Sequence, residues 1–359
     1  MDWNRCPTII GISVRFRRNP HGAWYHVTNR GLGRRAIYED DRDRRRWLEL
    51  LAEARAMYGW VLHGYVMMEN HYHLFLETTE GNLSRSMQWF QTSYSMGYNH
   101  RHHGVGPLFR GRFKAQTVDP VGWGLELSRY LHLNPVRRLS LGLDKRARQA
   151  DRLGARGRPE ARMVSRRLEH LRSYRWSSYR AYVGREPTPE WLTCGAILDL
   201  IGAGRRKERQ QAYARYVEQA VREGLPVSPW EGLWAGLVLG SEQFLETIRP
   251  MIKGSDREQP QGRNLKRRPA WQKVLRVIEE WRGEKWADFR DRHGDWGREL
   301  ALCLGRRTCG LSLRELGERA GGVDYAAVSG AIKRFERRMV AEPATRKTFD
   351  KLAAEIIEN

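Results

Sequence analysis

Apolar and polar positions alternate or recur at helical spacing along the first third of the chain, and these periods predict its elements. Residues 23–31 alternate, are rich in β-formers and end at a glycine, which predicts a strand. Residues 40–58 carry apolar side chains at helical spacing among charges, which predicts an amphipathic helix. Residues 60–67 and 71–78 predict two further strands that form a hairpin.

A second helix and a fourth strand complete a regular order of elements. Residues 83–103 bring aromatic and aliphatic side chains to one side of a predicted helix. Residues 109–118 predict a strand, and residues 120–133 predict a helix that opens at a proline and is closed by Asn134 and Pro135. The order β-α-β-β-α-β, with this extra helix behind it, is the ferredoxin-like arrangement. The predicted fold class is therefore α+β with an antiparallel sheet.

Helical patterns dominate the rest of the chain. Residues 137–172 predict a basic helical insertion, and residues 173–182, which are crowded with aromatic side chains, predict the closing segment of the first domain. Residues 191–239 are helical in pattern, whereas residues 253–269 are basic and poor in apolar side chains, as in a linker.

Three regions follow from these shifts in pattern. Residues 1–185 are predicted to form the sheet-containing domain, residues 186–268 a helical connector with the basic linker, and residues 269–359 an all-α domain. A chain of 359 residues is long enough for each end to bury a core of its own.

The net charge of the chain indicates which class of partner it binds. Lys and Arg number 64 against 42 Asp and Glu, which gives a net charge of +22 and a pI of about 10.3. This excess, most of it arginine, predicts a nucleic-acid partner. No run of 18 apolar residues occurs and the N-terminus lacks an apolar signal core, so we expect no membrane partner and a cytoplasmic location. The four cysteines lack metal or disulfide spacing and are expected to be reduced.

Two histidines lie two residues apart in the third predicted strand. Because side chains alternate along a strand, His71 and His73 point to one face, while Tyr72, Leu74 and Leu76 point to the other, where they can be buried. Neutral imidazoles bind divalent metals, and two such ligands leave positions open for a phosphate oxygen and water. The alternative is a chance pair of surface histidines.

A tyrosine and an asparagine follow at helical spacing in residues 120–133 and just beyond. Tyr130 and Asn134 are four residues apart, so they share one helix face. If that face approaches the histidines, Asn134 becomes a third metal ligand and Tyr130 a nucleophile that attacks a phosphodiester and forms a 5′-phosphotyrosine. The alternatives are a core tyrosine and a helix-stop asparagine.

A row of cations precedes this helix. Arg110, Arg112 and Lys114 recur at period two in the fourth predicted strand, so all three are expected on one face, as in a groove for a DNA backbone. A solvated strand face is the alternative for these three side chains.

Five motifs in order resemble the single-tyrosine HUH transposases, and most of all the REP-associated tyrosine transposases of bacteria. They are WYHVTNRG at 24–31, MENHYHL at 68–74, LFRGRFK at 108–114, RYLHLNPVR at 129–137 and YRWSSY at 174–179. The resemblance covers about half of the chain. It implies a ferredoxin-like nuclease that cuts and rejoins single-stranded DNA, often at a hairpin.

The resemblance also implies a cofactor and a site. Mg²⁺ or Mn²⁺ would be held by the family's histidine pair at His71 and His73 with a further ligand at Asn134, and the nucleophile falls on Tyr130. Within the first motif Arg30 joins the predicted DNA-binding residues. The sequence departs from the family at Glu69, where proline is usual, and has tyrosine between the two histidines. Members often form homodimers, sometimes with the tyrosine helix reaching the partner copy, so either arrangement is open.

The C-terminal region carries a helix-turn-helix pattern. Ser312 and Glu315 have capping-box spacing, and apolar residues on both sides of Gly321 and Gly322 can form a core across two helices. The stretch resembles the duplex-binding domain of the replication initiator DnaA, which implies duplex DNA as a further partner. Because residues 325 and 326 depart from that signature, its sequence specificity is not carried over.

Four residues of the second helix in this pattern are the predicted duplex contacts. The helix is expected to expose Tyr325, Ser329 and Lys333, with Arg334 beside them. The alternative is a helical hairpin that only packs.

Two other functions compete with a transposase. A DNA-binding regulator of repeat elements that has lost cleavage would keep the fold, although intact His71, His73, Tyr130 and Asn134 argue against such decay. An RNA-binding protein would account for charge and aromatic content alone.

Overall fold

The computed structural model of the chain describes residues 22–137, 139–143, 159–223, 229–234, 238–248 and 269–358. The first elements, in chain order, are β1 Ala23–Arg30, α1 Asp41–Tyr58, β2 Trp60–Met68, β3 His71–Thr78, α2 Leu83–Arg101, β4 Lys114–Val118 and α3 Pro120–His132. Helix starts follow their local sequence, since Asp40 and Asp119 accept hydrogen bonds from the first N–H groups of α1 and α3.

These elements build the predicted sheet. Its first four strands lie in the order β2-β3-β1-β4, and every neighbouring pair among them is antiparallel. With helices between β1 and β2 and between β3 and β4, this is the ferredoxin-like arrangement, and the predicted α+β class is confirmed.

The two faces of the sheet are different. Tyr72, Leu74 and Leu76 are fully buried on the face covered by α1 and α2, where the Tyr72 ring lies 5.3 Å from that of Trp47. His71 and His73 belong to the opposite face, called here the histidine face. Helix α3 packs on this face: Leu131 of α3 lies beside Gly64 of β2. The predicted buried backing of the histidine pair is confirmed.

The fourth strand is shorter than predicted, which changes the position of two cations. Strand β4 begins at Lys114, and residues 110–112 before it bend instead of extending. The side-chain nitrogen of Asn29 donates a 2.8 Å hydrogen bond to the carbonyl of Gly111 within this bend. The prediction that Arg110, Arg112 and Lys114 share one strand face is therefore wrong, although all three are exposed.

The later elements continue the chain as follows: α4 Ala161–Ser173, α5 Tyr179–Tyr182, α6 Gly195–Asp199, α7 Arg206–Glu223, β5 Leu233–Trp234, β6 Val238–Leu239, α8 Glu242–Ile248, α9 Trp271–Arg282, α10 Trp286–Phe289, α11 Gly297–Leu304, α12 Leu313–Arg319, α13 Tyr325–Ala341 and α14 Pro343–Glu358. Residues 144–158 of the predicted insertion and 249–268, which hold nearly all of the predicted linker, lie outside the described residues.

Two short strands correct the prediction that residues 191–239 are helical throughout. Strand β6 pairs in parallel with β4, and β5 pairs antiparallel with β6, which extends the sheet to six strands. The backbone N–H of Asp119 donates to the carbonyl of Leu239 over 2.8 Å. A two-residue strand has no detectable period, so it forms only because the edge of β4 offers unpaired backbone groups.

The apolar side chains divide into two main cores. The larger one includes residues of the sheet, α1 to α3 and also α6 and α7, so residues 192–221 pack with the sheet domain. The second core joins α9 to α14. How the chain divides into independently folding units stays a prediction.

The predicted capping box and helix pair are present at the C-terminus. Ser312 accepts from the N–H of Glu315, whose carboxylate accepts from the N–H of Ser312. Glycine is required at 317, where a Cβ would lie 2.0 Å from the carbonyl oxygen of Val323. The turn between α12 and α13 can close only because that side chain is missing.

Three of the four cysteines lie in the described residues, in the reduced state expected from sequence. Cys194, Cys303 and Cys309 are buried thiols, and Cys6 lies outside the described residues. Among the described helices, none combines the length and apolar character needed to cross a bilayer.

Candidate active site

The two predicted histidines meet on the histidine face. The ring centroids of His71 and His73 are 5.2 Å apart, with His71 half-buried and His73 buried. Nδ1 of His71 lies 2.8 Å from the side-chain oxygen of Asn70, whose amide nitrogen in turn donates to the carbonyl of Arg34. Asn70 therefore accepts from Nδ1 of His71, and Nε2 carries the lone pair.

A third histidine, from β1, supports the pair. Nε2 of His26 lies 2.8 Å from Nδ1 of His73, and Nδ1 of His26 lies 2.9 Å from Oε1 of Gln116 on β4. His26 is 2% exposed, so this contact is made away from solvent. The three side chains come from three adjacent strands, β3, β1 and β4.

The surroundings keep these imidazoles neutral. Burial, together with the charge of Arg30, lowers the pKa of His71 to about 4, and burial lowers the pKa of His26 to about 4. Burial also places the pKa of His73 well below its ordinary value, with repulsion from His26, His71, Arg137 and Arg30 adding to the effect. Neutral imidazole is the form that binds metal ions.

Tyr130 lies beside His73 of the same chain. The two ring centroids are 6.1 Å apart and the rings meet edge to face. The guanidinium of Arg137 lies 4.1 Å from the centre of the Tyr130 ring, and Trp230 packs against its edge at 5.1 Å. Helix α3 therefore brings Tyr130 to the histidines without a second copy of the chain.

Asn134 lies one turn beyond Tyr130 and is also buried. Its amide nitrogen donates to the carbonyls of Tyr130 and Leu131 over 3.1 and 3.2 Å. With the nitrogen committed as donor, the side chain offers its oxygen as acceptor. The same bonds close the end of α3, so the helix-stop role considered from sequence is met as well.

The donor set fits a divalent cation. His71 and His73 offer neutral imidazole nitrogens, which suit Mn²⁺, and Asn134 has an amide oxygen of the kind that Mn²⁺ and Mg²⁺ accept. The role of Asn134 as a third ligand stays a prediction. In the part of the chain that the structure describes, no group of three or more His, Cys, Asp or Glu side chains is arranged to hold a metal ion.

Four residues of the site were missed from sequence. His26 and Gln116 lie 90 positions apart, and Trp230 and Arg137 lie outside any strand or helix period. Trp230 packs 4.6 Å from His26 and also contacts Tyr130, so it covers both. Two of the four were present in the quoted motifs, His26 in WYHVTNRG and Arg137 in RYLHLNPVR, but no local period links either one to the histidine pair.

The predicted cations near the site lie in different settings. Arg30 is exposed and pairs in register with His71, which accounts for its effect on that imidazole. Lys114 lies two residues before Gln116 on β4 and so shares the histidine face. Arg110 joins the same region, since its N–H donates to the carbonyl of Arg30 over 2.9 Å.

The predicted duplex-reading face of α13 is covered by the first core. Ser329 is buried, and the Tyr325 ring packs 4.8 Å from that of Tyr216 on α7. Burial, with repulsion from Arg129 of α3, lowers the pKa of Lys333 to about 8.

The prediction that α13 exposes these side chains is therefore corrected. Of the four predicted residues, Arg334 is exposed, and it pairs with Glu299 at 2.6 Å. The physical reason is that α13 has two buried sides. Val328, Ile332 and Phe335 fill the second core, as predicted, while Tyr325 packs against the first.

The sheet thus brings a histidine pair and a tyrosine together on one face. Residues 20–133 match the sequence model of the family described as "Transposase IS200 like". For this part of the chain the match confirms the family predicted from the motifs, and it supports a DNA transposase.

One solved structure is similar at a low level. It is described as "Structure of the REP associates tyrosine transposase bound to a REP hairpin", and the similarity covers 54% of this chain and 93% of that chain at 12% sequence identity. The TM-score is 0.32, which is too low to carry an argument.

Proposed function

We propose that this transposase cleaves and rejoins single-stranded DNA at hairpins through a 5′-phosphotyrosine at Tyr130, with Mg²⁺ or Mn²⁺ as cofactor. The observation that carries the proposal is the 6.1 Å approach of the Tyr130 ring to His73 within one chain. The motifs that resemble REP-associated tyrosine transposases supply the substrate class.

Each residue of the site has a role in this proposal. The Tyr130 oxygen attacks the scissile phosphorus, a new O–P bond forms, and the bond to the 3′-oxygen breaks. The phenolic proton is lost from Tyr130 and the leaving oxygen gains one, so a free 3′-hydroxyl results. Arg137, against the Tyr130 ring, and Arg30, beside His71, balance the charge of the phosphate. The reverse attack rejoins the strand.

The metal ligands in this proposal are His71, His73 and Asn134. When bound, Mg²⁺ or Mn²⁺ polarises the phosphate and neutralises charge that develops on its oxygens. Because burial keeps both imidazoles neutral, they need no proton loss before binding.

Single-stranded DNA would approach along the histidine face. Exposed Arg30, Arg110 and Lys114 give this region a positive surface that a DNA backbone can follow. Arg112 is exposed two residues beyond Arg110, and we propose that it adds to this surface. Half-buried Trp230, next to Tyr130, has an aromatic surface of the kind on which bases stack. Duplex DNA remains a second proposed partner of the C-terminal region, and binding through α13 would require its covered face to open.

Covalent attachment of a hairpin oligonucleotide tests the proposal. The full chain with Mn²⁺ is expected to attach a labelled hairpin, and Tyr130→Phe is expected to reduce attachment to background because the attacking oxygen is gone. Tyr58→Phe is the matched control, since Tyr58 lies on α1 across the sheet and should attach DNA normally. Attachment by Tyr130→Phe at the level of Tyr58→Phe would contradict the assignment.

The same assay separates the transposase from the silent regulator. We expect His71→Ala to retain hairpin binding but lose attachment. If the unaltered chain binds the hairpin specifically but attaches none of it with any divalent metal, the result would favour the DNA-binding regulator. If RNA outcompetes single-stranded DNA, the result would favour an RNA-binding protein. Light scattering distinguishes a monomer from the homodimer that the family resemblance leaves open.

A further inference from the structure

The hydrogen-bond chain behind His73 has a direction. The Oε1 atom of Gln116 is an acceptor, so Nδ1 of His26 donates to it over 2.9 Å. A neutral imidazole has one donor and one acceptor nitrogen, so Nε2 of His26 accepts. At 2.8 Å, the donor to that nitrogen is Nδ1 of His73.

We propose that Gln116 and His26 are positioning residues that set the tautomer of His73, with the proton on Nδ1 and the lone pair on Nε2 directed to a divalent cation. The inference rests on the proposed function, because it assigns a purpose to a lone pair that a metal site requires. It adds two residues that neither touch the DNA nor hold the cation.

The other histidine of the pair has the same arrangement by a different route. Nδ1 of His71 donates to Asn70, and Asn70 is held by its own bond to the carbonyl of Arg34. Two independent supports therefore produce the same tautomer in both histidines. A cation that binds both Nε2 atoms needs this agreement, because a proton on either one removes that ligand.

The position of His26 explains why a histidine is used. Within the described residues, the imidazole of His73 has no hydrogen-bond partner other than His26. Gln116 and His26 are opposite each other on β4 and β1, and His26 and His73 lie on neighbouring strands. A neutral imidazole has one donor and one acceptor nitrogen, so from the middle strand His26 can connect the amide of Gln116 on β4 to the imidazole of His73 on β3.

The first measurement needs neither metal nor DNA. In the metal-free full chain labelled with ¹⁵N-histidine, long-range ¹H–¹⁵N correlations at neutral pH are expected to show His73 protonated at Nδ1. In Gln116→Leu, His26 has no acceptor for its Nδ1 proton, so we expect His73 to populate both tautomers. A proton on Nε2 of His73 in the unaltered chain would overturn the inference.

The second measurement is Mn²⁺ affinity, followed by the paramagnetic resonance signal of free Mn²⁺. His26→Phe keeps the ring volume but removes the acceptor, and we expect it to weaken binding about tenfold to a hundredfold. His26→Gln is the conservative variant, since its amide oxygen can accept from His73, and it should recover most of the affinity.

Thr117→Val is the matched control for these variants. Thr117 is a buried neighbour of Gln116 on the opposite face of β4. A change in Mn²⁺ affinity in Thr117→Val would therefore reflect altered packing of β4 and not the tautomer of His73. Equal Mn²⁺ affinity for His26→Phe and Thr117→Val would overturn the inference. If His26→Phe does not fold, Gln116→Leu carries the same comparison, because it leaves His26 in place.

The measurements of the His73 tautomer and of Mn²⁺ affinity can succeed or fail independently of the DNA attachment assay. The expected tautomer with His26-dependent Mn²⁺ binding, but without DNA attachment at Tyr130, would support the positioning role and contradict the proposed reaction. Attachment at Tyr130 with His73 protonated on Nε2 would support the reaction and overturn the positioning role.

Discussion

Positive charge near the histidine pair has two effects at the scale of single residues. Arg30 and Arg137 lower the pKa values of the neighbouring imidazoles and so help to keep them neutral. The same two guanidinium groups attract the phosphate that the site is proposed to cleave. The two arginines therefore favour the DNA directly, whereas they favour the cation only by keeping its imidazole ligands unprotonated, since their own charge repels it.

The exposed cations next to this site should appear in the salt dependence of hairpin binding. We expect the double variant Arg110→Gln, Arg112→Gln to reduce the slope of log K against log salt by about 0.7 for each phosphate contact that is lost. Filter binding at several salt concentrations measures the slope. Arg45→Gln is the control, because Arg45 is exposed on α1 across the sheet. A slope equal to that of the control would contradict a role in DNA binding.

At the scale of elements, α3 is held in place at its end by a buried network. Nδ1 of His132 lies 2.7 Å from the hydroxyl of Tyr213, and Nε2 lies 2.8 Å from the hydroxyl of Ser178. Tyr213 also donates to Ser128, one turn earlier on α3. The helix that carries Tyr130 is thus fastened to α7 and to the segment after α4.

This network predicts acid sensitivity. Burial lowers the pKa of His132 to about 3, so on acidification the unfolded chain takes up a proton that the folded chain excludes. Stability from the neutral form is present above about pH 6.5 and is lost as the pH falls toward 3, at about 1.4 kcal/mol per pH unit for one proton.

Urea unfolding between pH 7 and 4 measures this dependence. We expect His132→Gln to have a shallower fall in the free energy of unfolding than the unaltered chain. His100→Gln, at an exposed position of α2, is the control and should keep the full slope. An unchanged slope in His132→Gln would refute the assignment.

At the scale of the whole molecule, a buried ion pair joins the two main cores. Arg306 contacts both carboxylate oxygens of Glu126 on α3, at 2.5 and 3.3 Å, and its guanidinium lies 4.4 Å from the ring centre of Trp123. The N–H of Leu313 donates to the same carboxylate over 2.8 Å. Since Tyr130 lies one turn beyond Glu126, the C-terminal region packs on the helix that carries the proposed nucleophile.

Removing one partner of this pair should be costly. Arg306→Met leaves the Glu126 carboxylate buried without its main partner, and we expect a loss of about 3–5 kcal/mol in the free energy of unfolding. The double variant Glu126→Gln, Arg306→Met should recover much of this loss because the buried charge is also gone. Urea unfolding of the full chain measures both.

The matched control is Arg334→Met on α13. Its partner is Glu299, but the Arg334 side chain is exposed, so we expect a loss below about 1 kcal/mol. If Arg306→Met costs no more than Arg334→Met, the pair does not hold the two cores together.

Local patterns determined much of this protein. The period of two in β3 separates His71 and His73 from the buried Tyr72, and a spacing of four relates Tyr130 to Asn134. The capping box at Ser312 is equally local. Each of these follows from backbone geometry over a few residues, which the order of side chains alone expresses.

Only the tertiary structure decided which distant groups meet. His26 contacts His73 across 47 positions, and Arg306 contacts Glu126 across 180. Tertiary contacts also decided that β6 pairs with the edge of β4, and that the face of α13 predicted to contact duplex DNA is covered. Such contacts depend on which surfaces pack together, and a charged or aromatic residue in the sequence has the same local signature whether it faces DNA or another part of its own chain.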